Sequence, residues 1–356
     1  MSSKIKIISY ADLVDSLLAN LPDREREVLQ RRNALADFSE AHTLEQIGRD
    51  FNITRERVRQ IEKEGLKKVR ALDTIKTKLS ELKDAILEYL KLHGGIMSEI
   101  HLKEKLLKEQ IAKEINALDF ILSYILSEEF NRIEDKEDYH IIWHLDNVNL
   151  DESLEIASAL KNLIEDHGDP LHLEDLLNKF KAHKFYQSID QREGENQAIL
   201  EALLRLRKDI ASNILEQWGL VDWTTIRPKR MTDKAYLIML KHGKPLHFAE
   251  VSDLINQANF DRKKACPATV HNELILDDKY VLVGRGIYAL KDWGYQEGTV
   301  ADIIANILKQ NGPMSKNELL DDVLKQRMVQ KTTVVLALMD KNKFARLNDG
   351  RYQLVK

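Results

Sequence analysis

One segment carries side chains that can hydrogen-bond the edges of nucleic-acid bases: TRERVRQIEK, from Thr54 to Lys63. An Arg guanidinium can form two hydrogen bonds with guanine and a Gln amide two with adenine, whereas a Glu carboxylate accepts from the cytosine amino group. The residues with this capacity are Arg55, Glu56, Arg59 and Gln60. The cations better spaced for phosphate contact, which adds affinity without sequence information, are Arg57, Lys67, Lys68 and Arg70.

Two helices joined by a turn are predicted to position these side chains. Thr43 and Gln46 have the spacing of a capping box, in which each side chain satisfies a free backbone N–H at a helix start. Asn52 suits the turn because Asn tolerates a left-handed backbone, and Gly48 leaves room for a second helix to cross closely. Thr54 can cap that second helix. The apolar positions expected to face inward are Leu44, Ile47, Phe51, Val58, Ile61, Leu66 and Val69.

This pattern is typical of a helix-turn-helix whose second helix enters the major groove. The alternative is a solvated helix with alternating charges, which composition alone does not exclude. Residues Thr43–Arg70 closely resemble the fourth conserved region of the primary bacterial sigma factors, the part that reads the −35 promoter element. The stretch LPDREREVLQRR (Leu21–Arg32) resembles the preceding helix of that family, and the resemblance extends to Leu72.

The resemblance implies roles for individual residues. The four base readers named above would touch base edges or adjacent phosphates, whereas Thr43, Arg57 and Lys63 would seat the domain on the DNA backbone. The residues expected to bind DNA are Thr43, Thr54, Arg55, Glu56, Arg57, Arg59, Gln60, Lys63 and Lys67. This chain has Asn33-Ala34 where the family usually shows Phe-Gly, so the helix before the motif is expected to end differently.

Composition and charge bound the class of protein. A chain of 356 residues is too long for one compact domain of ordinary size, so several modules are expected. With one cysteine, neither a disulfide framework nor a cysteine-rich zinc site is predicted. No signal peptide or membrane-spanning run is recognisable, so we expect a cytoplasmic, nucleoid-associated protein. The net charge is −4, but residues 1–80 hold 16 Lys and Arg against 13 Asp and Glu, so positive charge concentrates around the motif.

A phrase containing a glycine turn recurs four times after residue 80. Its copies are LHGGIMSEIHLKEKL at Leu92, DHGDPLHLEDLLNKF at Asp166, KHGKPLHFAEVSDLI at Lys241 and QNGPMSKNELLDDVL at Gln310. Each copy follows an amphipathic helix and precedes further helical and strand-like sequence, which indicates one supersecondary unit repeated four times. Three helices and a hairpin are the plan of a winged helix.

The predicted fold class is mainly α with small β-hairpin wings: a helix-turn-helix head followed by about four winged-helix-like modules. The second module is the least regular, with an expected long helix NQAILEALLRLRKDIASNILEQW and a lone strand GLVDWTTI. The third resembles the HARE-type winged helix and, more loosely, the delta subunit of bacterial RNA polymerases, which implies a module of transcription-associated proteins. The predicted domains are residues 1–78, 79–148, 149–230, 231–295 and 296–356.

Other reactive side chains do not assemble into a catalytic or metal site. His140 and His144 lack an evident third ligand. His172 and His247 occupy equivalent repeat positions, which predicts a capping or packing role. Cys266 precedes a proline at a helix start and is expected to pack rather than react. We therefore predict no enzyme, no metal and no cofactor.

The predicted function is that of a sequence-specific DNA-binding transcription regulator. No segment resembles the aromatic, basic helix with which sigma factors bind the −10 element and open DNA, so the protein is expected to modulate initiation. Its expected partners are double-stranded DNA with a −35-like element and core RNA polymerase, with no membrane. Residues 81–356 carry a net charge of −7, which favours protein docking over DNA contact by the winged modules. Two alternatives stay open: an RNA polymerase-binding accessory protein that does not read DNA, and a free-standing repressor or nucleoid-type DNA binder.

Overall fold

The computed structural model describes residues 9–72, 75–107, 111–127 and 129–355. The chain divides into two compact units, Met1–Ala211 and Ser212–Lys356. The described residues are mainly helical with small antiparallel sheets, as the sequence predicts. None of the described helices is long and apolar enough to cross a membrane. The finer domain boundaries stay a prediction.

The first unit begins with a helical head that contains the predicted motif. Its helices are α1 (Tyr10–Leu18), α2 (Asp23–Arg32), α3 (Leu44–Asp50) and α4 (Arg55–Arg70). Thr43 and Gln46 form the expected capping box: the Gln46 N–H donates to Thr43 Oγ1 at 3.2 Å, and the Thr43 N–H donates to Gln46 Oε1 at 2.7 Å. Asn52 takes the left-handed conformation with φ 52°. Thr54 Oγ1 then accepts from the Arg57 N–H at 3.2 Å and caps α4.

A small core fixes the angle between the helices of the head. The side chains that form it are Val28 of α2, Ile47 of α3, and Val58 and Ile61 of α4. Gly48 lies where α3 meets the following turn, and a Cβ there would sit 2.8 Å from the Ile53 carbonyl oxygen. Glycine therefore permits the close approach that the sequence predicts at this position.

The rest of the first unit is built from short strands among helices. These elements are α5 (Ile75–Leu92), β1 (Ile96–Ser98), α6 (Glu99–Leu106), α7 (Ala112–Phe120), a π-helical turn (Ile121–Leu126), β2 (Asn131–Ile133), β3 (Ile142–His144), α8 (Leu150–His167), β4 (Leu171–His172), α9 (Leu173–Phe180), α10 (Tyr186–Asp190), α11 (Asn196–Leu204) and β5 (Ile210–Ser212). Strand β3 lies between β1 and β2 in an antiparallel sheet that pairs Met97 with Trp143. Strands β2 and β3 lie on either side of the acidic stretch in NRIEDKEDYHIIWHL, residues 131–145.

The head and the segment that follows it share one hydrophobic core. Leu17 of α1, Leu29 of α2 and Val69 of α4 are fully buried and join side chains of α5, α6, α7 and the π-helical turn. Helix α1 packs on α7, where the Glu114 carboxylate accepts from the Tyr10 N–H at 2.7 Å. Because burial of apolar area is the main driving force of folding, these two segments stabilise each other.

The second unit contains two further sheets with their helices. Its elements are β6 (Gln217–Leu220), α12 (Met231–His242), β7 (Leu246–His247), α13 (Phe248–Ala258), α14 (Pro267–Leu276), β8 (Tyr280–Gly284), β9 (Ile287–Leu290), a 3₁₀ turn (Lys291–Trp293), α15 (Val300–Asn311), α16 (Lys316–Gln326), α17 (Lys331–Ala337), β10 (Phe344–Arg346) and β11 (Tyr352–Leu354). Strand β9 lies between β7 and β8, and β10 pairs with β11. From α12 to β9 this unit has three helices and a hairpin, as predicted for a winged-helix-like module, and the two-residue strand β7 lies between the first two helices.

The recurring glycine of the sequence ends a helix in each copy of the phrase. Gly94, Gly168, Gly243 and Gly312 all have positive φ, between 62° and 81°. A residue with a Cβ is strained in this backbone region, whereas glycine is not. Gly168 and Gly243 are left-handed C-caps, whereas Gly312 has ψ −160°. The feature that the copies share is therefore a glycine of positive φ at the helix end.

The segment NQAILEALLRLRKDIASNILEQW does not form the single long helix expected of it. Helix α11 ends at Leu204, and β5 and part of β6 fall within the remainder. The Asn213 side-chain oxygen accepts from the N–H groups of Leu215 and Gln217 at 2.8 and 3.1 Å, and Glu216 takes φ 60°. Such bonds from a side chain to the local backbone compete with helix formation, and apolar spacing alone does not reveal them.

Candidate nucleic-acid interface

The outward face of α4 carries the side chains predicted to read bases. Val58 and Ile61 point into the head core, so the 3.6-residue period turns the intervening positions toward solvent. All nine residues predicted to bind DNA are exposed: Thr43, Thr54, Arg55, Glu56, Arg57, Arg59, Gln60, Lys63 and Lys67. Thr43 caps α3, and the other eight lie on α4 or directly before it. Their roles toward DNA stay predictions.

The arginines at the start of α4 already have partners on the protein. Arg55 Nη1 lies 3.0 Å from Glu45 Oε1 of α3. Arg59 donates two hydrogen bonds to the Glu56 carboxylate, at 2.6 and 2.8 Å. These bonds lower the pKa of Glu56, so its carboxylate stays charged. A duplex approaching this face would meet arginines that can exchange one acceptor for another.

Two cations expected to contact phosphates, Lys68 and Arg70, also make contacts within the protein. Lys68 Nζ lies 2.5 Å from Glu25 Oε1 of α2. Arg70 Nε donates to the Tyr124 carbonyl oxygen in the π-helical turn at 2.7 Å. Both contacts join residues far apart in sequence, which a helical pattern does not predict. They tie the C-terminal end of α4 to its neighbours.

Sequence reasoning also missed two arginines at the end of α2 that hold α3 and α4 in place. Arg31 Nη1 lies 2.6 Å from Asp50 Oδ2 of α3, and its guanidinium stands 5.4 Å from the Phe51 ring centroid. Arg32 Nε lies 3.0 Å from Glu62 Oε1 of α4. A Glu27–Arg31 pair at (i, i+4) spacing was the available sequence signal, but it indicates only a stable helix.

The end of α2 keeps the geometry that a glycine would favour. Helix α2 ends at Arg32, and Ala34 takes the left-handed conformation with φ 50°. The N–H of the buried Leu35 donates to the Gln30 carbonyl at 2.9 Å, which is the long bond of a Schellman cap. Ala34 therefore occupies the left-handed position of a Schellman cap, which glycine usually fills. A helix end different from that of the sigma-factor family stays a prediction.

Outside the head, Cys266, His172 and His247 lie at helix starts, whereas His144 ends strand β3. Cys266 does not pack as expected: it is exposed at the N-cap of α14, with Sγ 2.9 Å from Thr269 Oγ1. This hydrogen bond lowers the pKa of the thiol. The predicted capping role is confirmed for His247, because its Nδ1 accepts from the Ala249 N–H at 3.3 Å. His172 lies at the N-cap of α9, but its side chain makes no capping hydrogen bond. Across the described ranges no three His, Cys, Asp or Glu side chains converge in a way that could hold a metal ion.

Paired, capped helices with an exposed, cation-rich second helix define a helix-turn-helix module. Comparison with known families agrees: residues 17–71 match the family Sigma-70, region 4. The chain is 47% identical over 72 residues to the RNA polymerase sigma factor RpoD of Helicobacter pylori. It is 49% identical over 59 residues to the RNA polymerase sigma factor SigA4 of Synechococcus elongatus, and 47% over 63 residues to SigA of Lactococcus lactis.

These similarities are confined to the head. They cover 19%, 17% and 18% of this chain, in the same order. The chain in turn spans only 11%, 19% and 17% of those three relatives. The winged-helix-like modules and the HARE resemblance of the third module therefore stay predictions.

Proposed function

We propose that this protein binds duplex DNA sequence-specifically through α3 and α4 and thereby regulates transcription initiation. The observation that carries the proposal is the exposed start of α4, with its base-reading residues, inside a segment that matches Sigma-70, region 4. The N-terminal residues of a recognition helix are the ones that reach base edges in the major groove. Relatives named RNA polymerase sigma factors support a role in transcription.

The proposed target is a −35-like promoter element. Arg55, Glu56, Arg59 and Gln60 contact base edges or nearby phosphates, and the capped start of α3 seats the head on the backbone. Because the match covers region 4 alone, we propose that the protein modulates initiation rather than opening DNA itself. The winged-helix-like modules serve as docking surfaces for protein, in keeping with the net charge of −7 over residues 81–356.

The proposal is tested by selecting duplexes from a random pool with the full chain and measuring its affinity for the selected sequences. Gln60→Ala should relax preference at one base pair by about 1–3 kcal/mol, because one bidentate contact is lost. Lys67→Ala serves as the matched control, since loss of a phosphate contact should weaken binding to selected and scrambled duplexes alike. A pool that yields no preferred sequence contradicts the proposal.

A second candidate function is that of an RNA polymerase-binding accessory protein. The names of the relatives favour it, because each is called an RNA polymerase sigma factor. Co-elution of the full chain with core RNA polymerase at physiological salt, without DNA, tests this function. A stoichiometric complex that forms while duplex selection fails would establish the accessory role. Duplex selection without a complex would leave a free-standing DNA binder.

A further inference from the structure

We propose that Glu45 sets the specificity of the reading face by holding Arg55 away from DNA that lacks the matching base pair. This inference rests on the proposed function. Glu45 lies in the first turn of α3, and Arg55 is the first residue of α4. Their 3.0 Å ion pair therefore bridges the two helices of the motif at its DNA-facing edge.

The pair is exposed enough to exchange partners. The side chain of Arg55 is 68% exposed and that of Glu45 is 47% exposed, so neither is locked in the protein interior. Exposed ion pairs of this kind are weak. An incoming acceptor with better geometry can therefore displace the carboxylate without unfolding anything.

Different DNA sequences offer Arg55 different acceptors. A guanine in register presents two, O6 and N7, and accepts both guanidinium branches at once. On an unrelated sequence Arg55 has only phosphates to contact. When it turns to a phosphate, it leaves the Glu45 carboxylate unpaired beside the DNA polyanion, which repels it. Glu45 thus penalises non-specific complexes more than the matched one. Discrimination by a repulsive group is a general route to specificity.

The neighbouring carboxylates cannot fill this role. Glu56 is itself a predicted base reader and is bound to Arg59 by two hydrogen bonds. Glu64 lies 3.8 Å from Arg57, too far for a hydrogen bond and more than two turns along α4. Glu45 is the acidic residue that engages a reading arginine from the other helix.

The test uses the full chain, a selected duplex and a scrambled duplex of the same composition. Glu45→Gln should tighten binding to the scrambled duplex by about fivefold and steepen the salt dependence by about one phosphate contact. Binding to the selected duplex should change less than twofold, so the specificity ratio falls. In an Arg55→Gln background the Glu45 substitution should no longer change the specificity ratio, because the ion pair is already absent and relief of repulsion from the DNA acts on both duplexes alike.

Glu40→Gln is the charge-matched control, because Glu40 is exposed in the loop before α3. It should leave the specificity ratio unchanged. If Glu40→Gln lowers the ratio equally, bulk charge explains the effect and the proposal fails. A wild-type preference that Glu45→Gln does not alter also overturns it, whereas a wild type without any preference overturns the proposed function as well. Glu45→Asp keeps an acid in the first turn, shortens its reach and should shift the ratio the same way, which guards against misfolding of Glu45→Gln.

Discussion

At the scale of a single residue, Ala34 holds a left-handed backbone conformation that glycine would adopt with less strain. Its φ of 50° lies in the left-handed region, where a Cβ crowds the following carbonyl at a cost of about 1–2 kcal/mol. The conformation is held from outside, because Leu35 is buried and the Asn116 side chain donates to the Ala34 carbonyl at 3.0 Å. The surrounding contacts therefore enforce a turn that alanine resists.

Ala34→Gly should stabilise the protein. Relief of the left-handed strain outweighs the added entropy of the unfolded chain, and we expect a gain of about 0.5–1 kcal/mol in the free energy of unfolding. Urea denaturation of the full chain measures it. Ala41→Gly is the control, because Ala41 is exposed without a positive φ and glycine there adds only unfolded-state entropy. Equal effects of both substitutions would contradict the assignment.

His101 should make the first unit sensitive to acid. Burial and the nearby Arg205 guanidinium lower its pKa to about 2, whereas the unfolded chain binds a proton near pH 6.5. Between these two pKa values the unfolded chain binds a proton that the folded chain does not bind. The free energy of unfolding therefore falls as the pH drops below 6.5. The loss approaches about 1.4 kcal/mol for each pH unit.

The measurement is urea denaturation at pH 7.5 and pH 5.5, comparing wild type with His101→Leu. The groups that face the imidazole include His93, Lys105, Arg205 and Glu201, whose Oε1 lies 3.8 Å from Nε2. The leucine variant removes only the His101 contribution, so it should lose less stability on acidification. The same acid response in both proteins would show that other groups carry it.

At the scale of elements, the helix-turn-helix was predictable because its determinants are local. The capping box at Thr43, the turn at Asn52 and the cap at Thr54 each involve residues within three positions of one another. The ion pair of Glu45 with Arg55 depends on the angle between two helices, which a one-dimensional pattern does not contain. The same limit explains the missed bracing of α4. The helix wrongly extended past Leu204 has a local cause instead, the bonds of the Asn213 side chain to the nearby backbone.

Gly48→Ala should damage the motif although alanine is the better helix former. The new Cβ would lie 2.8 Å from the Ile53 carbonyl oxygen, and backbone cannot move aside cheaply. We expect a loss of about 1–3 kcal/mol in thermal or urea unfolding, with weaker DNA binding. Gly65→Ala is the matched control in α4, because its Cβ would meet the flexible end of Leu29 at 3.2 Å. If Gly48→Ala costs no more stability than Gly65→Ala, the turn can widen to admit the new Cβ.

At the scale of the whole molecule, the head does not fold around its own residues alone. Leu17 is fully buried in the core that α1 shares with α5, α6, α7 and the π-helical turn. Leu17→Ala should cost about 2–5 kcal/mol and lower amide-exchange protection in the head and in α5–α7 together. Leu319→Ala, equally buried in the second unit, is the control and should act on α15–α17. Loss of protection in the head alone would contradict a common core.

That shared interior separates two kinds of boundary. The family match stops at residue 71, yet the apolar surface of the matched segment is completed by side chains beyond residue 78. A chimaera that contains only residues 1–78 would expose an apolar face, and it would aggregate or bind another apolar surface. A graft that extends through the π-helical turn, to Leu126, would bring its own cover. The segment that matches the family is thus shorter than the segment that can fold with its apolar surface covered.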